Sequence, residues 1–229
     1  MPPTPASTPL AASGAPPSTG PRLSVAFGIL LVLAALVWSG LHPFDRSTWW
    51  MEIIPVLIVL PVLVLGRNRW PLTTLVCICL CVHALILILG GAYSYARVPL
   101  GSWLQEVLQL SRNPYDKIGH FAQGFVPALL AREILIRGGH VQGRKMLAFL
   151  VLCIALAVSA IYELIEWGAA LALGQGADEF LGTQGDPFDT QSDIFFALIG
   201  AAAALLLFSR LHDRQIDRAM QRERLAGLR

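Results

Sequence analysis

Six long apolar stretches constrain the fold of this chain more than any other feature. They cover residues 23–41, 50–65, 71–92, 116–136, 146–173 and 190–211. The hydrocarbon core of a bilayer, about 30 Å thick, is crossed by roughly 20 apolar residues of helix. Only 14% of the residues are charged, against about 25% in typical soluble domains. The sequence therefore predicts an all-α membrane protein, a bundle of about six transmembrane helices.

The basic residues predict the orientation of this bundle. With six spans, one side holds Arg22, Arg67, Arg69, Arg137, Arg144, Lys145 and the arginine-rich segment from Arg210 onward. The other side holds only Arg46, Arg97, Arg112 and Lys117. Because Lys and Arg accumulate in cytoplasmic loops, both termini are expected in the cytoplasm. Residues 1–22, rich in Pro, Ala, Ser and Thr, are expected to be a disordered tail, 23–211 the bundle and 212–229 a basic tail.

Ionisable residues within the spans are costly in lipid and indicate a functional site. Most of them fall on the side opposite the predicted cytoplasmic face. Asp116, His120 and Gln123 open the fourth span, Glu163 and Glu166 lie late on the fifth, and Asp186, Asp189 and Asp193 surround the start of the sixth. Consecutive helices run antiparallel, so these groups reach similar depths. We expect His120 to face Glu166 and Gln123 to face Glu163.

The residue types suggest three kinds of chemistry. Carboxylates with one imidazole can bind a divalent cation, a histidine beside a carboxylate can act as general acid or base, and a Glu–His chain can relay protons. We assign catalytic roles to His120, Glu163 and Glu166, and substrate binding to Asp116, Gln123 and Asp186. The predicted metal ligands are Asp189, Asp193 and His120, with a divalent metal ion as the candidate cofactor.

Structural interpretations of the same residues stay open. Asp116 lies in the first turn of a predicted helix, and Thr190 with Asp193 matches a capping pattern. Glu163 and Glu166, one turn apart on one helix face, are not explained by capping. The whole group could instead be a hydrogen-bonded knot that holds the helices together. Glu133 and Arg137, at i and i+4, predict a salt bridge at the cytoplasmic boundary without a role in function.

Several motifs resemble a known family. They are YDKIGHF (115–121), ARE (131–133), YELIEW (162–167) and LGTQGDPFDTQSD (181–193). They are similar to motifs of the YjdF-type inner-membrane proteins of bacteria, and the resemblance covers most of the chain after residue 22. It implies a multi-pass protein of the inner (plasma) membrane but no activity. The DKxxH pattern that opens the fourth span is also similar, more weakly, to VanZ-like membrane proteins.

Three functions follow as hypotheses. The first is a site for an envelope lipid or small molecule, built from the Asp, His and Glu residues and served by a divalent metal. The second is a proton- or cation-coupled transporter, which needs a route to Glu133 on the cytoplasmic side. The third is a non-catalytic structural or accessory membrane protein. Membrane lipids are the expected partners, and a net charge of +2 gives no basis for binding nucleic acid.

Overall fold

The backbone of this apolar chain satisfies its own hydrogen bonds as helices, which a lipid environment requires. The computed structural model describes residues 20–66, 70–173 and 183–225, with the backbone alone for 20–22. Seven α-helices lie in these ranges: α1 Gly20–Leu41, α2 Arg46–Gly66, α3 Thr74–Tyr93, α4 Pro99–Leu108, α5 Tyr115–Arg137, α6 Arg144–Leu173 and α7 Asp189–Leu225. A short 3-10 turn, Tyr95–Arg97, connects α3 to α4.

The predicted all-α membrane architecture is confirmed. In the described ranges, α1, α2, α3, α6 and α7 are long and apolar enough to cross a membrane. The fourth predicted span is α5, a helix of 23 residues. Because of its polar side chains, α5 has no stretch as apolar as those in the other five helices and does not qualify as a span by composition alone. Many of those side chains are buried against neighbouring helices, so α5 depends on the bundle to shield them.

The central helix of the bundle is α5, which packs against α3, α6 and, most extensively, α7. Glycines permit the close approach of α5 and α7. A Cβ atom on Gly124 would collide with the Ala197 carbonyl of α7, and one on Gly200 would collide with the Phe121 carbonyl of α5. Small residues at such crossings let membrane helices meet backbone to backbone.

Two apolar cores meet at α3. One core contains Val32 of α1, Ile53 of α2 and Ile88 of α3. The other contains Val76 of α3 and Leu129 of α5, together with residues of α6 and α7. The helix α3 therefore joins the α1–α2 pair to the rest of the bundle.

The two predicted tails differ in how much of each the structure describes. Apart from 20–22, which begin α1, residues 1–22 lie outside the described residues, as do 226–229. The boundary expected after residue 211 does not coincide with a helix end, because α7 continues to Leu225. His212 and Ile216, one turn apart on this continuation, are buried. Packing against the bundle thus extends the helix beyond the length that hydropathy predicted.

A buried polar network lies where α5 ends. Glu133 is fully buried and accepts hydrogen bonds from the Thr73 amide (3.0 Å), the Thr73 hydroxyl (2.6 Å) and Arg137 (2.6 Å). His212 Nε2 lies 3.2 Å from the same carboxylate. The predicted Glu133–Arg137 ion pair is therefore present, but it is buried rather than exposed at a boundary. It fixes the start of α3 against α5 and α7.

Candidate functional site

Four helices bring polar side chains together at the end of the bundle where α5 begins. Asp116, His120 and Gln123 come from α5, Glu163 and Glu166 from α6, Asp189 and Asp193 from α7, and Glu52 from α2; all of them are buried. Most of the residues predicted from the sequence thus lie near one another in the structure.

Asn113 holds the entry to α5. Its side-chain nitrogen, Nδ2, donates hydrogen bonds to the Val98 carbonyl (3.1 Å) and the Ser102 hydroxyl (3.3 Å). Its side-chain oxygen, Oδ1, accepts a hydrogen bond from the backbone amide of Tyr115 (3.0 Å). Tyr115 is the first residue of α5 and Pro114 is the N-cap without a side-chain cap hydrogen bond, so Asn113 fixes the chain just before the helix. Asn113 therefore sets the position of Asp116 and of the residues that follow it.

The acids of α7 are anchored by Lys117. The lysine ammonium lies 2.5 Å from Asp193 Oδ1 and 2.8 Å from Asp189 Oδ1, and 3.5 Å from Asp116 Oδ2. Asp193 therefore directs this oxygen across to α5, and helix capping does not explain its position. The ammonium occupies the space between the carboxylates of the two helices.

Arg112 lies in the loop before α5 and contacts the acids of the site from that side. It lies 2.5 Å from Asp189 Oδ1, donates to the Thr183 carbonyl (2.6 Å), and lies 3.6 Å from Asp186. Although burial opposes its charge, the hydrogen bond to Asp189 and the nearby carboxylates of Asp116 and Asp186 raise the pKa of Arg112. A permanent positive charge therefore stands beside the acids.

His120 is the point at which α5, α6 and α7 converge. Its Nε2 atom lies 3.5 Å from Asp116 Oδ1 and 3.7 Å from Asp193 Oδ1. On the opposite edge of the ring, Nδ1 lies 3.1 Å from Gln123 Oε1 and 3.6 Å from Glu163 Oε1. We call Asp116, His120, Glu163 and Asp193 the acid–histidine cluster.

Three members of this cluster have the geometry of a cation site. One ligand atom each from Asp116, His120 and Asp193 lies within 4.8 Å of the other two. Ligand atoms about 2.1 Å from a zinc ion stand about 3.4 Å apart at tetrahedral angles. The separations of 3.5 and 3.7 Å from His120 to the two aspartates are close to that value. Of the predicted metal ligands, His120 and Asp193 belong to this set, whereas Asp189 pairs with Lys117 and Arg112.

One carboxylate oxygen of Glu163 makes no hydrogen bond to any described residue. Its Oε1 is buried and has no hydrogen-bond partner within the described residues, and it faces the imidazole of His120. The predicted pairing of His120 with Glu166 is wrong, because the structure places Glu163 beside the imidazole. The rotation of α6 about its own axis, which depth along the chain does not determine, selects between the two glutamates.

A small polar cavity extends the site toward α2. Its volume is about 20 Å³, which is enough for one water molecule. It is lined by Glu52, Leu87, Tyr95, Asp116, Gly119, His120, Gln123, Tyr162 and Glu166. Glu166 thus shares this cavity with His120 without the contact that was predicted. Asp186 does not line this cavity; it is partly exposed, lies 3.6 Å from Arg112 and accepts from the Phe188 amide (2.9 Å).

Glu52 is a member of the site that the sequence analysis missed. It is 1% exposed, and its Oε2 atom accepts a hydrogen bond from the Tyr162 hydroxyl at 3.2 Å. The signal that could have revealed it is simple, because an acid within an apolar span is costly unless it has a partner. Lys117, which the sequence placed only among the basic residues opposite the cytoplasmic face, also belongs to the site.

An apolar cavity of about 210 Å³ adjoins the polar one. It lies among α1, α2, α3, α5 and α6 and shares Leu87, Gln123 and Tyr162 with the polar cavity. Aliphatic side chains such as Val56 and Val126 form most of its wall. Polar and apolar spaces therefore meet at one point inside the bundle.

Comparison with known proteins places the chain among bacterial membrane proteins. Residues 25–214 match the family described as "Predicted membrane protein (DUF2238)". The chain is 58% identical over 189 residues to the inner membrane protein YjdF of Escherichia coli (strain K12), an alignment that covers 82% of this chain and 90% of that protein. No solved structure matches the chain.

Proposed function

Because this chain belongs to the DUF2238 family of predicted membrane proteins, we propose a function that is carried out within the inner membrane. The YjdF-type resemblance is confirmed, and the chain is a multi-pass inner-membrane protein of a family without an assigned activity. The likeness to VanZ-like proteins stays a prediction. In our proposal, the acid–histidine cluster binds a divalent cation and performs acid–base chemistry on an envelope lipid or a small molecule.

The observation that carries this proposal is the convergence of Asp116, His120 and Asp193 around one point. Carboxylate and imidazole together suit divalent transition metals. A buried oxygen of the neighbouring Glu163 has no hydrogen-bond partner in the part of the chain that the structure describes, which is costly unless a ligand, water or cation supplies one. Few buried polar atoms of a folded protein lack a partner, so each one calls for an explanation.

Each member of the cluster would have a distinct role. Asp116, Asp193 and His120 would hold the cation, which when bound acts as a Lewis acid on a substrate oxygen. Glu163 is suited to accept and return a proton, since its free oxygen faces the site. The Lys117 ammonium contacts the same Asp193 oxygen, so it would have to move when a cation binds. Lys117 would then be free to bind an anionic group of the substrate.

The two alternatives have less support. A transporter would need a polar route toward Glu133, but both oxygens of Glu133 are occupied by hydrogen bonds, and the cavity on the way is largely apolar. A purely structural role gives no part to the Glu163 oxygen that faces His120 without a hydrogen-bond partner among the described residues. Vesicles reconstituted with the protein, in which a proton or cation flux depends on Glu133, would favour transport.

The test is metal binding to purified protein in lipid nanodiscs. We expect stoichiometric divalent metal by elemental analysis, and a saturable heat of binding when Zn²⁺ or Mn²⁺ is titrated into protein stripped of metal. His120→Ala and Asp193→Asn should weaken binding more than about tenfold, since even changes outside the ligand set cost 10- to 100-fold in other proteins. Glu163→Gln should retain the metal, since its role is proton transfer.

Asp213→Asn serves as the matched control for Asp193→Asn. It removes the same charge from the same helix, but Asp213 pairs with Arg132 at the opposite end of the bundle. Metal binding that is equally weak in both aspartate variants, or absent from well-folded wild-type protein, would overturn the proposal. Loss of folded yield in the His120 and Asp193 variants, without any metal in the wild type, would support the structural alternative.

A further inference from the structure

The apolar cavity narrows the class of substrate that the site can accept. At about 210 Å³, it is larger than an engineered protein cavity of about 150 Å³ that binds benzene. Its walls come from five helices, and its residues include Val56 and Val126, which are 3% and 4% exposed. A cavity of this size and polarity suits a hydrocarbon chain better than water.

The cavity adjoins the polar site. Leu87, Gln123 and Tyr162 line both spaces. Gln123 contacts His120 (3.1 Å) and Tyr162 donates to Glu52 (3.2 Å), so these two side chains stand at the junction. A molecule in the apolar cavity would therefore bring whatever polar group it carries against the acid–histidine cluster.

His83 gives a second indication of a ligand. It lies on the wall of the apolar cavity, and its Nε2 atom is buried without a hydrogen-bond partner within the described residues. An imidazole nitrogen in an apolar wall needs a polar atom to bond with. The ester or ether oxygen of a lipid is such an atom, whereas a pure hydrocarbon offers none.

We infer that the substrate of the site is a lipid, whose hydrocarbon chain occupies the apolar cavity and whose polar head lies at the acid–histidine cluster. This inference rests on the proposed function for the chemistry at the polar head of the lipid, but the binding of the hydrocarbon chain can be measured by itself. Of the two substrate classes in the proposed function, the apolar cavity favours a membrane lipid over a water-soluble small molecule.

The experiment uses the full chain in nanodiscs of phosphatidylglycerol and phosphatidylethanolamine. A fraction of the phosphatidylglycerol carries a diazirine near the end of one acyl chain. After illumination, cross-linked peptides are mapped by mass spectrometry. We expect cross-links at the buried Val56 and Val126, which lipid around the bundle does not reach, in addition to those at exposed residues such as Ile58 (61% exposed). Cross-links at exposed residues alone, in the wild-type protein, would overturn the inference.

A variant that fills the cavity tests whether the inner cross-links depend on that space. Ala84 lines the cavity, so Ala84→Phe should abolish cross-links at Val56 and Val126 and leave those at Ile58. The matched control is Ala157→Phe, because Ala157 is exposed on α6 and does not line the cavity. Persistence of the inner cross-links in folded Ala84→Phe protein would also overturn the inference. If that variant does not fold, the wild-type pattern still decides the question.

The same samples separate this inference from the proposed function. Ala84→Phe should bind Zn²⁺ or Mn²⁺ as the wild type does, since Ala84 is not part of the acid–histidine cluster. His120→Ala should lose the metal and retain the inner cross-links. Inner cross-links without any metal would overturn only the proposed function, and metal binding without inner cross-links would overturn only the lipid inference.

Discussion

Replacement of Gly200 by alanine tests the packing on which the site depends. A Cβ atom at this position would meet the Phe121 carbonyl and the Phe125 amide nitrogen of α5, and the carbonyl falls well within the 3.0 Å below which real Cβ contacts essentially do not occur. Both obstacles are backbone atoms, so a change of rotamer cannot relieve the collision. The helices α5 and α7 would have to separate.

The expected cost follows from this geometry. Overpacking in a well-packed core costs about 1–3 kcal/mol, and the entropy that alanine removes from the unfolded chain returns about 0.4–1 kcal/mol. We therefore expect Gly200→Ala to lower the free energy of unfolding by about 1–2 kcal/mol. The separation would also move Asp193 away from His120 and Lys117, so the metal affinity should fall with the stability.

The assay is reversible unfolding in mixed micelles with increasing dodecyl sulfate, followed by circular dichroism. Gly168→Ala on α6 is the matched control, because a Cβ atom there meets nothing within 4 Å. That variant should be as stable as the wild type, or more stable by up to about 1 kcal/mol. Equal stability of the two alanine variants would refute the close backbone packing of α5 and α7.

Two further predictions concern the ion pairs. Lys117→Met should raise the affinity for divalent cations measured by calorimetry, because the ammonium that competes for Asp193 is gone; an unchanged affinity would mean that the cation binds elsewhere. Glu133→Gln should lower the free energy of unfolding by about 1.5–3 kcal/mol, because Arg137 loses one of its two carboxylate partners and keeps only Glu223. Asp213→Asn, which breaks a partly exposed pair, should cost no more than about 1 kcal/mol in the same measurement, and equal losses would contradict the buried network.

The bundle itself could be predicted from the sequence, because a lipid solvent imposes long apolar helices. The apolar stretches identified as spans all appear as helices, with ends shifted by a few residues. The exception is α7, which continues well beyond residue 211. Hydropathy marks the part of a helix that lipid can cover, and it gives no information about a polar extension that packs against other helices.

The site could be predicted in part. Periodicity and depth were enough to select Asp116, His120, Glu163 and Asp193 from distant parts of the chain. They were not enough to choose Glu163 over Glu166 as the neighbour of His120, since helix rotation depends on packing across the bundle. Glu52 was not predicted, because it is the only acidic residue of its apolar span and nothing in the sequence places α2 beside the start of α5.

The position of α7 in the chain affects how the protein is made. Domains and helices emerge from the ribosome in order from the N-terminus, and α7 is the final described helix. Until it inserts, Lys117 lacks Asp189 and Asp193, and Arg137 lacks Glu223. Both ends of α5 therefore remain incompletely neutralised in the nascent bundle. A chain truncated before α7 would expose these charges to lipid, which would make it a ready target for membrane quality control.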